Sequence, residues 1–354
     1  MNQIKNKWIK KLIFVFATII IIVIALEIVL RCFYYQVHST DRLALSTAFK
    51  SARYRLVYAL TMYKFNKLKL DEGHVYVALY SKEGNELLHY FQKEYENYFK
   101  KLLEETKKIN SKLIVLYIPR DNYITWAKIR DNNRAFFSSL AKKYNVDYVD
   151  LTEEFLKYPV KWVIRLPEDT HPSRLGNQLI ADVLYENLKK YNEYRSDVHF
   201  KERPALLGDF APGTNSVFGL WSFMPYRVET NNQGLRMNYD LNFPKKKQRI
   251  LIMGDSFTFG SGLPNCYTYA YFLNRRYPQK EVINAGIVGY TIIDELSLFQ
   301  DRAKFTEPDI TVVQVLDNDL YELFYYKRAF GRKIEFLEPT ALEKKYLFGK
   351  GSRL

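Results

Sequence analysis

Cysteine is scarce in this sequence, which argues against a fold held together by disulfides. The 354 residues contain two cysteines, and Cys32 lies beside a long hydrophobic run. We expect Cys266, the other one, to be a small apolar core residue rather than a nucleophile. The sequence also lacks the cysteine and histidine spacing of a zinc site. A zinc site is therefore not expected.

Acidic residues are in the minority, and internal repeats and low-complexity tracts are missing. The formal net charge is +14, from 53 Lys and Arg against 39 Asp and Glu. The basic residues are scattered without a nucleic-acid-binding motif, so we expect affinity for a membrane surface or an anionic polymer, not for nucleic acid. The 29 Tyr and 24 Phe predict a substantial core, in one large domain or two small ones.

One hydrophobic run is long enough to cross a membrane. Residues 12–30 read LIFVFATIIIIVIALEIVL, with Glu27 near the outer end. At about 1.5 Å per residue this helix would span about 29 Å, one hydrocarbon core. Several lysines precede it and no small-residue cleavage site follows, which favours an uncleaved signal anchor. Residues 1–11 would then be a cytoplasmic basic tail, with the domain periplasmic or extracellular.

Beyond the anchor, apolar patterns predict alternating helices and strands. Residues 31–83 are basic and aromatic, and we expect a helical juxtamembrane segment. Residues 192–248 break the pattern and predict an irregular crossing segment with a small hairpin around residues 231–234. The remaining alternation predicts a doubly wound α/β layer. Helices are expected at residues 86–110, 132–144, 173–191, 268–276 and 292–303, and strands at 113–118, 147–151, 250–253, 281–284 and 310–316.

Ser256 stands where a strand passes into a helix. Residues 249–260 read RILIMGDSFTFG, an apolar strand followed by Gly254, Asp255 and Ser256. A serine at such a junction exposes its hydroxyl at the carboxyl end of a sheet, near N–H groups that have no helical partner. Ser256 is therefore a candidate nucleophile, although a serine that only caps a helix would fit the same residues.

Three further polar motifs are expected at the same edge of the sheet. Two of them follow strands, at residues 284–289 (NAGIVG) and 317–319 (DND), and the third, at residues 169–172 (DTHP), precedes a helix. In an open α/β sheet, ligands bind at the carboxyl ends of strands. All four motifs are therefore predicted to meet at one site.

Acyl-transfer chemistry predicts an acid–base pair in the DTHP motif. A serine hydroxyl is a poor nucleophile until a base removes its proton, and His171 is the candidate base for Ser256. Asp169 is the candidate carboxylate that orients the imidazole, with Glu168 as the fallback acid. As an alternative, His171 could cap the following helix and Asp169 could interact with the helix dipole.

The other two motifs supply candidate oxyanion donors. The Ser256 N–H, the Gly289 N–H and the Asn318 side-chain amide would hold the negative charge of a tetrahedral intermediate. Gly289 could equally be a turn glycine, and Asn318 a turn residue after a strand. The joint occurrence of all the motifs favours the catalytic interpretation.

The motifs together resemble the four blocks of the SGNH (GDSL-type) hydrolases. They read GDSFTFG, NAGIVGYT, DNDL and DTHP, the last followed by GNQLIADVLYENL, over roughly residues 84–190 and 228–322. The resemblance implies a flavodoxin-like three-layer fold with a central five-stranded parallel sheet. It also implies roles as nucleophile, oxyanion glycine, oxyanion asparagine and acid–base pair for Ser256, Gly289, Asn318, and Asp169 with His171.

The order of the blocks differs from the usual SGNH pattern. Asp169 and His171 precede Ser256, and the acid lies two residues before the histidine instead of three. In both features the sequence resembles the alginate O-acetylation proteins of the bacterial periplasm. We therefore expect a circularly permuted domain, with its second half at residues 84–191 and its first half within residues 249–354. Two incomplete halves that complete each other only in a dimer are the alternative.

The sequence thus predicts a membrane-anchored, extracytoplasmic serine enzyme with an acyl-Ser256 intermediate. This serine chemistry needs no metal and no cofactor. Water as acceptor would make it an esterase, whereas a sugar hydroxyl of an envelope polysaccharide would make it an O-acyltransferase. For a transferase, the resemblance implies an integral-membrane acyl donor protein as partner. The alternatives are an inactive envelope assembly protein with the same fold, and a surface lipase or lysophospholipase.

Overall fold

The described residues from 85 onward belong to one compact unit, assigned to residues 57–354. The predicted tail, anchor and juxtamembrane segment lie outside the described residues, except for Thr18. Among the described residues, no helix is both long and apolar enough to cross a bilayer. Besides Thr18, the computed structural model describes residues 85–120, 127–165, 170–218, 225–320 and 322–323.

Seven strands are described, and five of them form the central parallel sheet, as the apolar runs predict. The strands are β1 (Lys112–Tyr117), β2 (Asp147–Asp150), β3 (Asn215–Phe218), β4 (Tyr226–Glu229), β5 (Gln248–Met253), β6 (Lys280–Asn284) and β7 (Ile310–Val315). The sheet order is β2-β1-β7-β5-β6, while β3 and β4 form a separate antiparallel pair.

The strand order is flavodoxin-like when it is counted from the strand that precedes Ser256. With β5 as first, β6 as second, β7 as third, β1 as fourth and β2 as fifth, the order across the sheet is 2-1-3-4-5. β1 pairs with β7 from Lys112 opposite Ile310 to Tyr117 opposite Val315. Strands from both halves of the sequence therefore share one sheet within a single chain.

Helices cover both faces of the sheet because side chains alternate along the strands. The helices are α1 (Asn85–Lys108), α2 (Ala127–Lys143), α3 (Thr152–Phe155), α4 (Val160–Val163), α5 (Arg174–Leu188), α6 (Ser256–Phe259), α7 (Tyr269–Arg276) and α8 (Ile292–Asp301). Leu113 and Val115 join the core under α1, α2 and α8, whereas Ile114 and Leu116 join the core under α5 and α7.

Both ends of the crossing segment are fixed to the amino-terminal edge of the sheet by one carboxylate. Asp309 is fully buried just before β7. It accepts hydrogen bonds from the Ser196 N–H (2.6 Å), the Lys245 Nζ (2.8 Å) and the Arg249 N–H (2.7 Å). Buried carboxylates require such partners, and here the partners are the two ends of the connection between the halves of the fold.

Two details differ from the sequence predictions. The hairpin of the crossing segment is β3 with β4, before residues 231–234, which instead form a turn. In that turn the Asn231 side-chain oxygen accepts from the N–H groups of Gln233 (3.1 Å) and Leu235 (2.9 Å). These N–H groups therefore bond to a side chain instead of to a partner strand. Cys266 is exposed rather than a core residue, because it lies in a short turn between α6 and α7.

Candidate active site

Ser256 is the first residue of α6, immediately after β5 and its turn. A Cβ atom on Gly254 would lie 2.3 Å from Thr258 Oγ1, so the turn has no room for a side chain there. Asp255 caps the helix, and its carboxylate accepts from the Phe257 N–H at 2.9 Å. The tight turn leaves Ser256 half-buried at the carboxyl end of the sheet.

His171 contacts this serine directly. Its Nε2 atom lies 2.8 Å from Ser256 Oγ. The imidazole also lies against the Phe257 ring, with 5.3 Å between ring centroids. Both side chains are only partly buried, so a substrate can approach the hydroxyl. The distance suits proton transfer from the serine to the imidazole.

Backbone contacts on both sides hold the segment that carries His171. The Arg165 N–H donates to the His171 carbonyl at 3.1 Å, and Pro172 forms an isolated bridge with Ile164. Ser173 then caps α5 by accepting an N–H from its first turn. The predicted acid Asp169 and the fallback Glu168 lie outside the described residues.

The loop after β6 runs alongside the nucleophile turn. The Ile287 N–H donates to the Gly254 carbonyl at 3.0 Å, and Gly286 approaches α6 so closely that a Cβ there would lie 2.4 Å from a backbone nitrogen of that helix. Gly289 has a φ of 77°, a conformation that favours glycine. Within the described part of the chain, neither the Ser256 N–H nor the Gly289 N–H has an acceptor.

Asn318 lies in the turn after β7, across the topological switch point from the turn that carries Ser256. β7 is the neighbour of β5 in the sheet, so the loops that follow the two strands border one crevice. Burial raises the pKa of the Asp255 carboxyl, and a hydrogen bond from Asn318 partly offsets this. The Asn318 amide also donates to the Glu322 carboxylate. Asn318 is therefore placed beside the residue that precedes the nucleophile.

Two buried carboxyl groups, Glu295 and Asp319, interact electrostatically with Asp255. The sequence predictions did not include Glu295 among the site residues. Burial and the charge of Asp255 raise the pKa values of both Glu295 and Asp319 well above their usual range. Asp319 also accepts from the Leu316 N–H at 2.8 Å, which gives it a structural role in the turn after β7. The sequence signal that could have identified Glu295 is its position on the apolar face of α8, one residue before Leu296.

Two arginines near the site were also not predicted. Arg165 and Arg236 donate to backbone carbonyls in residues 259–263, directly after the nucleophile helix. No local pattern marks such arginines, because their acceptors are backbone atoms far away in the sequence.

Searches of protein-family models and of curated proteins return no match for the sequence. Among solved structures, the O-acetyltransferase domain of Pseudomonas putida AlgJ matches with a TM-score of 0.43 and 14% identity, over 76% of this chain and 93% of AlgJ. Pseudomonas aeruginosa AlgX matches with a TM-score of 0.43 and 16% identity, over 67% of this chain and 60% of AlgX. The chain is similar in structure to AlgJ and AlgX.

Bacillus cereus PatB1 also matches, with a TM-score of 0.39 and 12% identity, over 66% of this chain and 91% of PatB1. The order of the motifs predicted a resemblance to AlgX- and AlgJ-like O-acetylation proteins, and the comparison confirms it. At these identities and TM-scores the likeness to AlgJ and AlgX does not assign a function.

Proposed function

We propose that this chain is a serine acyl-transfer enzyme of SGNH type that forms an acyl-Ser256 intermediate. Its substrates would be ester groups, above all O-acetyl groups, of an envelope glycan. The observation that carries the proposal is the 2.8 Å contact between His171 Nε2 and Ser256 Oγ at the carboxyl end of a parallel sheet. Such a pair provides a nucleophile together with its base.

In the first half-reaction, Ser256 Oγ attacks the ester carbonyl and its proton passes to His171 Nε2. The tetrahedral intermediate collapses when the bond to the alcohol breaks, and His171 returns the proton to the leaving oxygen. The Ser256 and Gly289 N–H groups, which have no acceptor among the described residues, are the donors proposed for the oxyanion. The product is the alcohol, and the acyl group stays on Ser256.

In the second half-reaction, an acceptor hydroxyl takes the place of the leaving alcohol. His171 removes its proton, the acceptor oxygen attacks the acyl carbonyl, and Ser256 leaves with the proton from His171. Water as acceptor gives ester hydrolysis, whereas a sugar hydroxyl gives O-acyl transfer. The same residues serve both reactions, so the acceptor decides the outcome.

The proposed setting is the outer side of the cytoplasmic membrane. The hydrophobic run at residues 12–30 and the lysines before it support a single-pass anchor with its N-terminus inside. The net charge of +14 supports attraction to an anionic polysaccharide. For the transferase, an integral-membrane protein that supplies the acyl group is the proposed partner.

The proposal is tested by hydrolysis of an aryl acetate by the full-length protein. We expect turnover by the wild type and a loss of at least about a thousand-fold in Ser256→Ala. Ser139→Ala is the matched control, because this serine is exposed on α2. Equal turnover by the wild type and Ser256→Ala would contradict the proposal.

A second measurement separates the two acceptors. The aryl acetate is supplied with and without an acidic envelope polysaccharide, and free acetate and polysaccharide-bound acetate are both measured. A transferase transfers acetate to the polysaccharide at the expense of free acetate. An esterase releases the same amount of free acetate in both cases.

A further inference from the structure

Two guanidinium groups contact every backbone carbonyl from residue 259 to residue 263. These five residues form the end of α6 and the loop after it. Carbonyls at a helix end lack helical partners, and cationic donors at this end are favourable. The two arginines therefore hold the segment that follows Ser256, and they come from two different parts of the chain.

Arg236, from the crossing segment, binds carbonyls at both ends of this loop. It donates to the carbonyls of Phe259, Gly260 (3.1 Å) and Leu263, and its guanidinium lies over the Phe259 ring, 4.1 Å from the centroid. Burial lowers the pKa of Arg236 to about 10. With 3% of its surface exposed, Arg236 is part of the core.

Arg165 binds the two carbonyls in the middle of the loop, and it comes from the segment that precedes His171. Its Nη1 donates to the Gly262 carbonyl at 3.0 Å and its Nη2 to the Ser261 carbonyl at 2.9 Å. Its own backbone N–H donates to the His171 carbonyl at 3.1 Å. One residue thus contacts both the segment of the base and the segment of the nucleophile.

We propose that Arg165 is a positioning residue that sets the distance between His171 and Ser256. This inference rests on the proposed function, since the distance matters only if the pair reacts. The two residues are 85 positions apart, on segments that meet only through tertiary contacts. A misplacement of about 1 Å at reacting atoms can cost about a hundred-fold in rate. A two-pronged guanidinium fixes a distance better than a single ammonium does.

The test uses the rate at which a fluorophosphonate modifies Ser256 in the full-length chain. We expect Arg165→Met to lower this rate about ten- to a hundred-fold, with little change in the unfolding midpoint. With an aryl acetate, kcat should fall while KM stays nearly unchanged. Arg165→Lys should recover part of the loss, because an ammonium can still donate to one of the carbonyls. Arg174→Met is the matched control. Arg174 is an exposed arginine at the start of α5, and its guanidinium lies over the Tyr267 ring.

A substitution at Gly262 can break the contact between Arg165 and the loop without changing Arg165 itself. A Cβ at Gly262 would lie 1.7 Å from Arg165 Nη1, so Gly262→Ala must displace the guanidinium. Gly262 has a φ of 75°, and Gly213→Ala controls for backbone strain, since Gly213 has a φ of 60° and is exposed. We expect Gly262→Ala to slow labelling and to add little to Arg165→Met. This variant carries the test if Arg165→Met does not fold.

The failures of the two proposals are distinguishable. If the wild type is not labelled at Ser256, the proposed function fails, and the role of Arg165 in it fails as well. If the wild type is labelled and both Arg165→Met and Gly262→Ala react at the wild-type rate, only the role of Arg165 is overturned. A loss fully explained by the unfolded fraction of each variant would also overturn it.

Discussion

His171 Nε2 lies 2.8 Å from Ser256 Oγ, although the histidine precedes the serine by 85 residues. The contact forms within one chain because β1 pairs with β7 and places the earlier half of the sequence beside the later half. Asp309 fixes both ends of the connecting segment at the opposite edge of the sheet. The unusual motif order is thus compatible with an ordinary flavodoxin-like strand order.

Replacement of His171 by alanine should abolish most of the activity. Without the imidazole, the Ser256 hydroxyl keeps its proton, and general base catalysis is worth about a hundred- to ten-thousand-fold. We expect the aryl acetate kcat/KM to fall by that factor without loss of folded protein. His89→Ala is the control, because His89 is exposed on α1. A His171→Ala enzyme with wild-type kcat/KM would remove the base from the mechanism.

Asp169 and Glu168 are distinguished by isosteric amide variants. The sequence predicts that Asp169 orients His171, so Asp169→Asn should lower kcat by about ten-thousand-fold, the size of effect known for the acid of a serine triad. Glu168→Gln should change kcat by less than about three-fold, a shift under about 0.7 kcal/mol. The reverse result would make Glu168 the orienting acid. Steady-state kinetics at neutral pH, with folding checked by circular dichroism, decide between them.

Asn318→Ala tests the third oxyanion donor. If the amide reaches the oxyanion, kcat should fall by about a hundred- to a thousand-fold while KM for a small ester stays nearly constant. In the structure, however, the Asn318 amide donates to Glu322. A change in stability with normal kcat would therefore assign Asn318 to the support of the turn instead. Kinetics and urea unfolding on the same samples separate the two results.

The middle of the sheet was predictable because β1, β5 and β7 contain short, continuous apolar runs. Strands β1 and β7 are buried on both faces, and such strands need no pattern beyond continuous hydrophobicity. Ser256 and His171 were predictable because nucleophile and base sit in recognisable turns at element ends. Their contact followed from the rule that the carboxyl ends of parallel strands share one edge.

The supporting residues were not predictable in the same way. Arg165 and Arg236 bind backbone carbonyls, which every residue has, so no sequence pattern identifies their acceptors. The position of the hairpin in the crossing segment was wrong because the Asn231 side chain takes the N–H groups of its own turn. Cys266 was placed in the core from its residue type alone, whereas a turn between helices exposes it.

Glu295→Gln should reduce the loss of folding stability that the wild type shows as the pH rises. Burial and the charges of Asp255 and Asp294 raise the pKa of Glu295 well above 4.5. A group with a raised folded-state pKa contributes stability below its unfolded pKa and loses it as the pH rises through the folded pKa. The wild-type free energy of unfolding should therefore fall between about pH 5 and about pH 8, and it should fall less in Glu295→Gln.

Urea unfolding at the two pH values measures this difference. Glu186→Gln is the control, because the Glu186 side chain is 65% exposed and its removal should leave the pH dependence unchanged. The same pH dependence in the wild type and in Glu295→Gln would show that Glu295 does not titrate differently in the folded and unfolded states.

Covalent labelling shows whether Ser256 is an activated nucleophile. The full-length protein is treated with a fluorophosphonate, digested, and mapped by mass spectrometry, in parallel with Ser256→Ala and His171→Ala. We expect one modified residue, Ser256, with no label in Ser256→Ala and much slower labelling in His171→Ala. An unmodified Ser256 in folded wild-type protein, or equal labelling of all three proteins, would contradict this expectation.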